Sequence, residues 1–202
     1  MQEHNKASAW FDDLYKAHKD NHENIPWARK EVNPLLESYL KEKINHKGKA
    51  LVIGCGLGDD AYALDQAGYN VLAIDVSQTA LDEAKKRSHS SNINFEKQDI
   101  FDMPEKYHNH FDFVFEALTI QSLPREFRER MLQAVAQTVK KDGKLLVVAH
   151  KYNGNNEGPP WPLKDEEIGL FTRHKLEELH FSVVHEPSTI SDKKFRVLYK
   201  KL

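Results

Sequence analysis

The most restrictive feature of the chain is Leu51-Val-Ile-Gly54-Cys55-Gly56-Leu57-Gly58, an apolar run that ends in three glycines at alternate positions. Lys49-Ala-Leu-Val-Ile53 reads as a buried strand. Glycine is needed after it where the backbone turns sharply and a ligand must approach without a Cβ in the way. Spacing narrows the ligand. A phosphate-cradling Walker loop closes on Gly-Lys-Ser/Thr, which this run lacks. The dinucleotide fingerprint G-x-G-x-x-G requires glycine where Asp59 stands. Asp59 and Asp60 also put two acids at a helix start, where like charge repels a pyrophosphate. A zwitterionic or cationic ligand tolerates that acidity.

Around this loop, short apolar runs alternate with amphipathic segments. Asp59 to Ala67 reads as a helix closed by Gly68, and Tyr69-Asn-Val-Leu-Ala-Ile74 as a second strand. Ser77 caps a helix that runs to about Ser88, with Ala80, Leu81 and Ala84 on one face. Asn94-Phe-Glu-Lys97 is a third strand and Phe111-Asp-Phe-Val-Phe115 a fourth, rich in aromatic and β-branched residues. Pro124 opens a helix to about Lys140, Lys141-Asp-Gly143 makes a turn, and Lys144-Leu-Leu-Val-Val-Ala149 is a fifth strand. This rhythm predicts a parallel α/β sheet covered by helices on both faces. Residues 151–163 form a Gly/Pro/Asn-rich loop, followed by a helix near 164–179. Phe181-Ser-Val-Val-His185 and Phe195-Arg-Val-Leu-Tyr199 then make an antiparallel pair, bringing the sheet to seven strands. Residues 1–47 are a helical flank or lid before a core of 48–202, all one domain of 202 residues.

Composition removes several classes. The 29 Lys and Arg balance 31 Asp and Glu to a net charge of −2, which argues against a nucleic-acid binder resting on phosphate neutralisation. No stretch approaches the roughly 18 apolar residues of a membrane span. The polar amino terminus shows no signal peptide, and the single Cys55 suits a reducing, cytoplasmic setting. A small-molecule enzyme is expected, with a monomer favoured.

Two more acids stand at strand ends. Asp75 ends the second strand, 21 residues after Gly54, where a carboxylate accepts both hydroxyls of a ribose, with Val76 beside it. After the third strand, Asp99 is placed to accept an adenine amino group while Ile100 packs on the base. Together with the cationic sulfonium tolerated near Asp59, these positions point to S-adenosylmethionine. The residues resemble the class I S-adenosylmethionine-dependent methyltransferases from about residue 25 to the end. That resemblance implies a Rossmann-like fold in which Gly54, Cys55, Gly56 and Gly58 line the cofactor; topology places Glu116 near the same crevice.

The flanks narrow the group. Asn24-Ile-Pro-Trp27 precedes Asn33-Pro-Leu-Leu36, and Gly158-Pro159-Pro160-Trp161 follows the fifth strand. Proline beside a flat aromatic makes a rigid apolar wall. This combination resembles the thiopurine, thiol and halide methyltransferases and the related tellurite-resistance methyltransferases. By that resemblance Trp27 closes over the cofactor, while Pro160, Trp161 and Arg125 border the acceptor; topology places Tyr152 near the same crevice. A soft nucleophile needs little help from a base, so no catalytic dyad and no metal are assigned. Two rivals stay open: an O- or N-methyltransferase of a larger metabolite, and a non-catalytic cofactor-binding regulator.

Overall fold

The computed structural model describes residues 10–18, 25, 28, 31–42, 47–88, 92–154, 158–186, 188 and 190–202. Its strands are β1 (Lys49–Ile53), β2 (Asn70–Asp75), β3 (Ile93–Lys97), β4 (Phe111–Ala117), β5 (Val139–His150), β6 (Leu176–His185) and β7 (Lys193–Lys201). They form one seven-stranded sheet in the order β3-β2-β1-β4-β5-β7-β6. It is parallel but for β7, which runs antiparallel to both of its neighbours. This is the mostly parallel fold with an antiparallel ending that the sequence predicts. Contacts divide the chain into two compact units, Met1–Asp99 and Ile100–Leu202.

In the first unit β1, β2 and β3 are parallel and in register, with Ile53 beside Ile74 and Asp75 beside Lys97. Every residue of β1 and β2 after the first is buried, as continuous apolar runs in a parallel sheet demand. The helices α1 (Trp10–Ala17), α2 (Pro34–Lys41), α3 (Asp59–Gln66) and α4 (Gln78–Arg87) flank these strands. Asn33 caps α2, its side chain accepting from Leu35 N, and Ser77 caps α4 by accepting from Ala80 N. Each cap satisfies a backbone donor with no partner inside its helix.

In the second unit two boundaries move from the sequence reading. The 124–140 helix becomes a 3-10 turn over Arg125–Phe127 followed by α5 (Arg128–Thr138). The expected turn at Lys141–Gly143 lies inside β5 as an irregularity, where Asp142 adopts a φ of 64° and the register with β4 skips between Phe111 and Phe113. The predicted 164–179 helix shortens most. It comprises α6 (Asp165–Ile168) and a 3-10 stretch to His174, after which Lys175 turns left-handed with a φ of 61°. Leu176 then starts β6, paired with Lys201. The competing force is the sheet: Leu202 N donates to Lys175 O, and Tyr199 Oη donates to Ile168 O at 2.7 Å. Those hydrogen bonds hold the segment down where helical periodicity alone would extend it.

A left-handed non-glycine residue carries a steric penalty of about 1–2 kcal/mol, partly offset by the greater unfolded-state freedom of glycine. Lys175→Gly is therefore expected to stabilise the chain by about 0.5–1 kcal/mol in urea unfolding. A loss of stability would show that the Lys175 side chain does more than follow the turn.

Candidate functional site

The glycine run leaves the carboxyl end of β1 and is folded against the end of β2. Cys55 N donates to Ile74 O and Gly58 N to Cys55 O, both at 2.9 Å. Gly56 and Gly58 adopt φ values of 51° and 86°, a region that L side chains rarely enter. Space forbids side chains there too. A Cβ on Gly58 would lie 3.1 Å from Ala84 Cβ, and one on Gly56 would lie 2.9 Å from Tyr15 Oη. Cys55 is buried, and burial, then the neighbouring Asp75 charge, pushes its thiol well above the usual range. A protonated, enclosed thiol is no nucleophile.

Asp75 is the hub of this unit. Its Oδ2 accepts from Gly56 N and its Oδ1 from Ser77 N, both at 2.9 Å. One carboxylate thereby fixes the glycine loop to the start of α4. The residue is 8% exposed, and burial raises the pKa of its carboxyl above the usual value against the lowering effect of those N–H groups. Each oxygen has a second lone pair to offer. The Val76 N–H also favours the charged form, and the acceptor capacity left on the carboxylate suits ligand hydroxyls. Asp99 follows β3 by two residues and is half-buried, while Gln98 N donates to Asp75 O at 3.0 Å. Val76 is half-buried beside Asp75, and Ile100 opens the second unit as a buried residue.

The amino-terminal flank supplies a feature that sequence reasoning misses. Asp12 of α1 accepts from Ser77 Oγ at 2.7 Å and from Thr79 N at 3.1 Å, acting as a second cap on α4. Burial opposes its charge, but Lys16, Ser77 and Thr79 hold it well below the usual carboxylate range. Tyr15, one turn on, is buried in a cluster with Ile25, Leu57 and Ala80. The i, i+3 spacing of Asp12 and Tyr15 is the only sequence signal, and it reads as an ordinary amphipathic helix. Trp27 lies outside the described residues.

The acids after Gly58 prove less exposed than their sequence suggests. Asp59 pairs with Arg87 through two hydrogen bonds at 2.6 and 3.0 Å, and Asp60 accepts from Asn33 N at 2.7 Å. Arg87 offsets much of the repulsion that the sequence assigns to Asp59. The glycine spacing and Asp75 therefore carry more of the ligand argument than Asp59 does.

In the second unit the penultimate residue of β4 is Glu116, fully buried, whose Oε1 accepts from Thr119 N at 2.7 Å and Ile120 N at 2.9 Å. Its Oε2 has no hydrogen-bond partner among the described residues. Burial pushes this carboxyl up to about 7, against the two N–H groups and Arg128. The turn it holds is tied to the 158–163 loop. Trp161 N donates to Gln121 O at 2.7 Å, and Gln121 Oε1 accepts from His150 N at 2.7 Å. Arg128, 4% exposed, donates to Ile120 O and Trp161 O and pairs with Glu167 at 3.2 Å. Arg125 joins the same Glu167 at 2.6 Å and Pro162 O at 2.9 Å. Burial opposes the Glu167 charge, but Lys164 N and the two guanidinium groups hold it below its usual range.

Arg125 thus clamps a loop in this structure rather than standing free for a substrate. Its guanidinium also lies 5.4 Å from the Tyr152 ring, whose hydroxyl donates to Gly154 O. Pro160 and Trp161 are half-buried, and a Cβ on Gly158 would strike the Trp161 ring at 2.5 Å. Sequence reasoning missed Arg128, Gln121 and Glu167. One signal was legible: an arginine in the first turn of a helix opposes the macrodipole and needs a reason to be there.

The raised Glu116 carboxyl has a signed consequence. The folded state binds its proton up to about pH 7, the unfolded chain only to about 4.5. Its contribution therefore favours folding at low pH and is lost as pH rises through that window, by about 3 kcal/mol at most. Urea unfolding at pH 5 and pH 8 should show a drop that Glu116→Gln largely removes. Parallel profiles for the two proteins would contradict the burial account.

Comparison with known proteins bears on the family and the fold. Thiocyanate methyltransferase 1 of Brassica oleracea is 27% identical over 140 residues, covering 67% of this chain and 61% of that protein. The chain thus spans less than two thirds of that enzyme's length. Thiopurine S-methyltransferase of Legionella pneumophila (strain Paris) is 26% identical over 163 residues, covering 72% of this chain and 74% of that protein. The fold resembles N-methyltransferase NodS of Bradyrhizobium japonicum WM9, solved with S-adenosyl-L-homocysteine. The TM-score is 0.73 at 17% identity, over 94% of this chain and 99% of that one. The thiopurine S-methyltransferase (TPMT) family matches residues 14–196, and the chain belongs to that family.

Proposed function

We propose that the chain is an S-adenosylmethionine-dependent methyltransferase acting on a small, soft nucleophile: a thiol, or a related chalcogen or halide acceptor. The observation that carries the reading is Asp75, fixed by Gly56 N–H and Ser77 N–H with acceptor capacity left over. Family membership and the thiopurine and thiocyanate relatives support the acceptor class.

In this reading Asp75 takes the ribose hydroxyls, and Gly54, Cys55, Gly56 and Gly58 give the backbone room for the methionine part. Val76, Asp99 and Ile100 lie along the adenosine, with Trp27 and Tyr15 as cover from the amino-terminal flank. Pro160 and Trp161 form a rigid apolar border for the acceptor, with Tyr152 nearby. Arg125, Arg128 and Glu167 position that border, and Glu116 fixes the turn behind it. The bound sulfonium supplies an activated methyl group for in-line displacement. The protein's contribution is orientation and exclusion of water, which can amount to effective molarities of about 10⁵ M or more.

Calorimetry with S-adenosylhomocysteine tests the cofactor half. Asp75→Asn is expected to weaken binding by about 1–3 kcal/mol, the scale of hydrogen bonds to a charged group. Gly56→Ala should weaken it as well, by driving the new Cβ against Tyr15. Unchanged affinity in both variants would refute the assigned roles. Methyl transfer from labelled cofactor to thiols, thiocyanate, iodide and tellurite, beside phenols and amines, tests the acceptor half. Activity confined to phenols or amines would favour an O- or N-methyltransferase. Tight binding without turnover on any of them would favour a regulator.

The loop border makes its own prediction. Gly158→Ala pushes the Trp161 ring aside, so KM for the acceptor should rise several-fold while S-adenosylhomocysteine affinity stays unchanged. Equal losses in both would place Trp161 against the cofactor instead.

A further inference from the structure

Glu116 carries more chemistry than its structural task requires. One oxygen, Oε1, accepts from both Thr119 N and Ile120 N, which holds the turn into Ile120–Ser122. That task uses one acceptor and no charge. The other oxygen, Oε2, is sealed from solvent and has no hydrogen-bond partner among the described residues. A buried polar atom in that state costs free energy, so a carboxyl kept there calls for a reason.

The reason lies in the charges around it, all within the second unit. Arg128, 4% exposed at the start of α5, is the charged group whose field acts on the Glu116 carboxyl. Beside it stand Arg125 and the single carboxylate of Glu167, which the two guanidinium groups share. The outer lysines have partners of their own: Lys151 pairs with Asp165, and Lys164 lies 3.8 Å from Glu166. From β5, buried His150 meets the same turn through its N–H to Gln121 Oε1. The cluster thus sets two fixed positive charges against one fixed negative charge, and Glu116 is the group able to supply the second. The same guanidinium groups hold the acceptor border, through Trp161 O and Pro162 O.

We propose that Glu116 determines whether this border favours an anionic or an uncharged nucleophile, by supplying or withholding the charge that balances Arg125, Arg128 and Glu167, given that the acceptor lies at Pro160 and Trp161 as proposed above. With Glu116 protonated, the cluster keeps one positive charge in excess and draws a thiolate, halide or thiocyanate ion. With Glu116 ionised, the excess is cancelled and the anion loses its advantage over a neutral nucleophile of the same softness. No contact between Glu116 and the acceptor is needed, because buried charges are screened far less than exposed ones. Burial, opposed by the two N–H groups and Arg128, puts the changeover at about pH 7. Anion binding is therefore strongest below that pH and weakens as pH rises through it. Linkage is reciprocal, so a bound anion raises the proton affinity of Glu116 in turn.

Thiocyanate and thiourea are a matched pair for the test: both are small and sulfur-bearing, one is an anion, and neither titrates near neutrality. Calorimetry of the full chain loaded with S-adenosylhomocysteine, at constant ionic strength, reads the effect without turnover. The wild type is expected to bind thiocyanate several-fold more tightly at pH 6 than at pH 8, with thiourea affinity unchanged. Thiocyanate binding near pH 7 should also take up protons, seen as a heat that varies with the ionisation enthalpy of the buffer. Glu116→Gln keeps an oxygen for the two turn N–H groups and cannot ionise. It should hold the tighter thiocyanate binding at both pH values and lose the proton uptake. A purely structural role would change both ligands alike. Thermal unfolding verifies the variant; if it does not fold, the wild-type proton uptake and the thiocyanate-to-thiourea ratio still decide. Absence of thiocyanate binding, an affinity indifferent to pH, or proton uptake that survives in Glu116→Gln overturns the proposal. Failure to methylate any soft acceptor would instead overturn the proposed function, and leaves these binding results standing by themselves.

Discussion

The Asp75 carboxylate, accepting from Gly56 N and Ser77 N, is the contact on which the first unit depends. A buried carboxylate is unfavourable without partners, and hydrogen bonds from N–H groups to a charged acceptor contribute about 1.5–3 kcal/mol each. Those two bonds determine where the glycine loop sits and where α4 begins. The loop's left-handed glycines then become necessary rather than incidental, because its path must bring Gly56 N back to the end of β2. Ser77, placed by Asp75, caps α4 and takes the Asp12 latch from α1. Through Asp12 the same carboxylate also determines how Tyr15 comes to lie beside Gly56. One strand-end acid thus organises a loop, a helix start and a flanking helix, while keeping acceptor capacity for a ligand.

The second unit follows the same logic with opposite charge. Arg128 is buried and gathers carbonyls of Ile120 and Trp161, segments far apart in sequence, with Glu167 balancing its charge. Arg125 shares Glu167 and holds Pro162. The loop that carries Pro160 and Trp161 is therefore rigid for two independent reasons, proline backbone and guanidinium clamps. A border of that kind suits an acceptor recognised by shape and softness more than by hydrogen bonds.

Much of this was legible in the residues. The glycine spacing, the strand-end Asp75 and the Ser77 cap all follow from local chemistry, and the structure places them as the sequence implies. The antiparallel ending was equally readable, since two β-rich runs close the chain. What the sequence hid is longer in range. Arg87 offsets Asp59 from 28 residues away, a pairing no spacing rule announces. Glu167 gives Arg125 and Arg128 a reason to sit at a helix start, but lies 42 and 39 residues downstream of them. Leu176–Leu179 reads as the tail of a helix until the pairing with β7 is known, because sheet hydrogen bonds override local periodicity.

The central claim is that Asp75, held by two backbone N–H groups, offers its remaining lone pairs to the cofactor's ribose. A crystal structure of the chain with S-adenosylhomocysteine tests it most directly. The account predicts both ribose hydroxyls within about 2.5–3.0 Å of the Asp75 oxygens, with the Gly56 and Ser77 hydrogen bonds intact. A ribose bound elsewhere, with Asp75 still occupied only by its backbone donors, would contradict it.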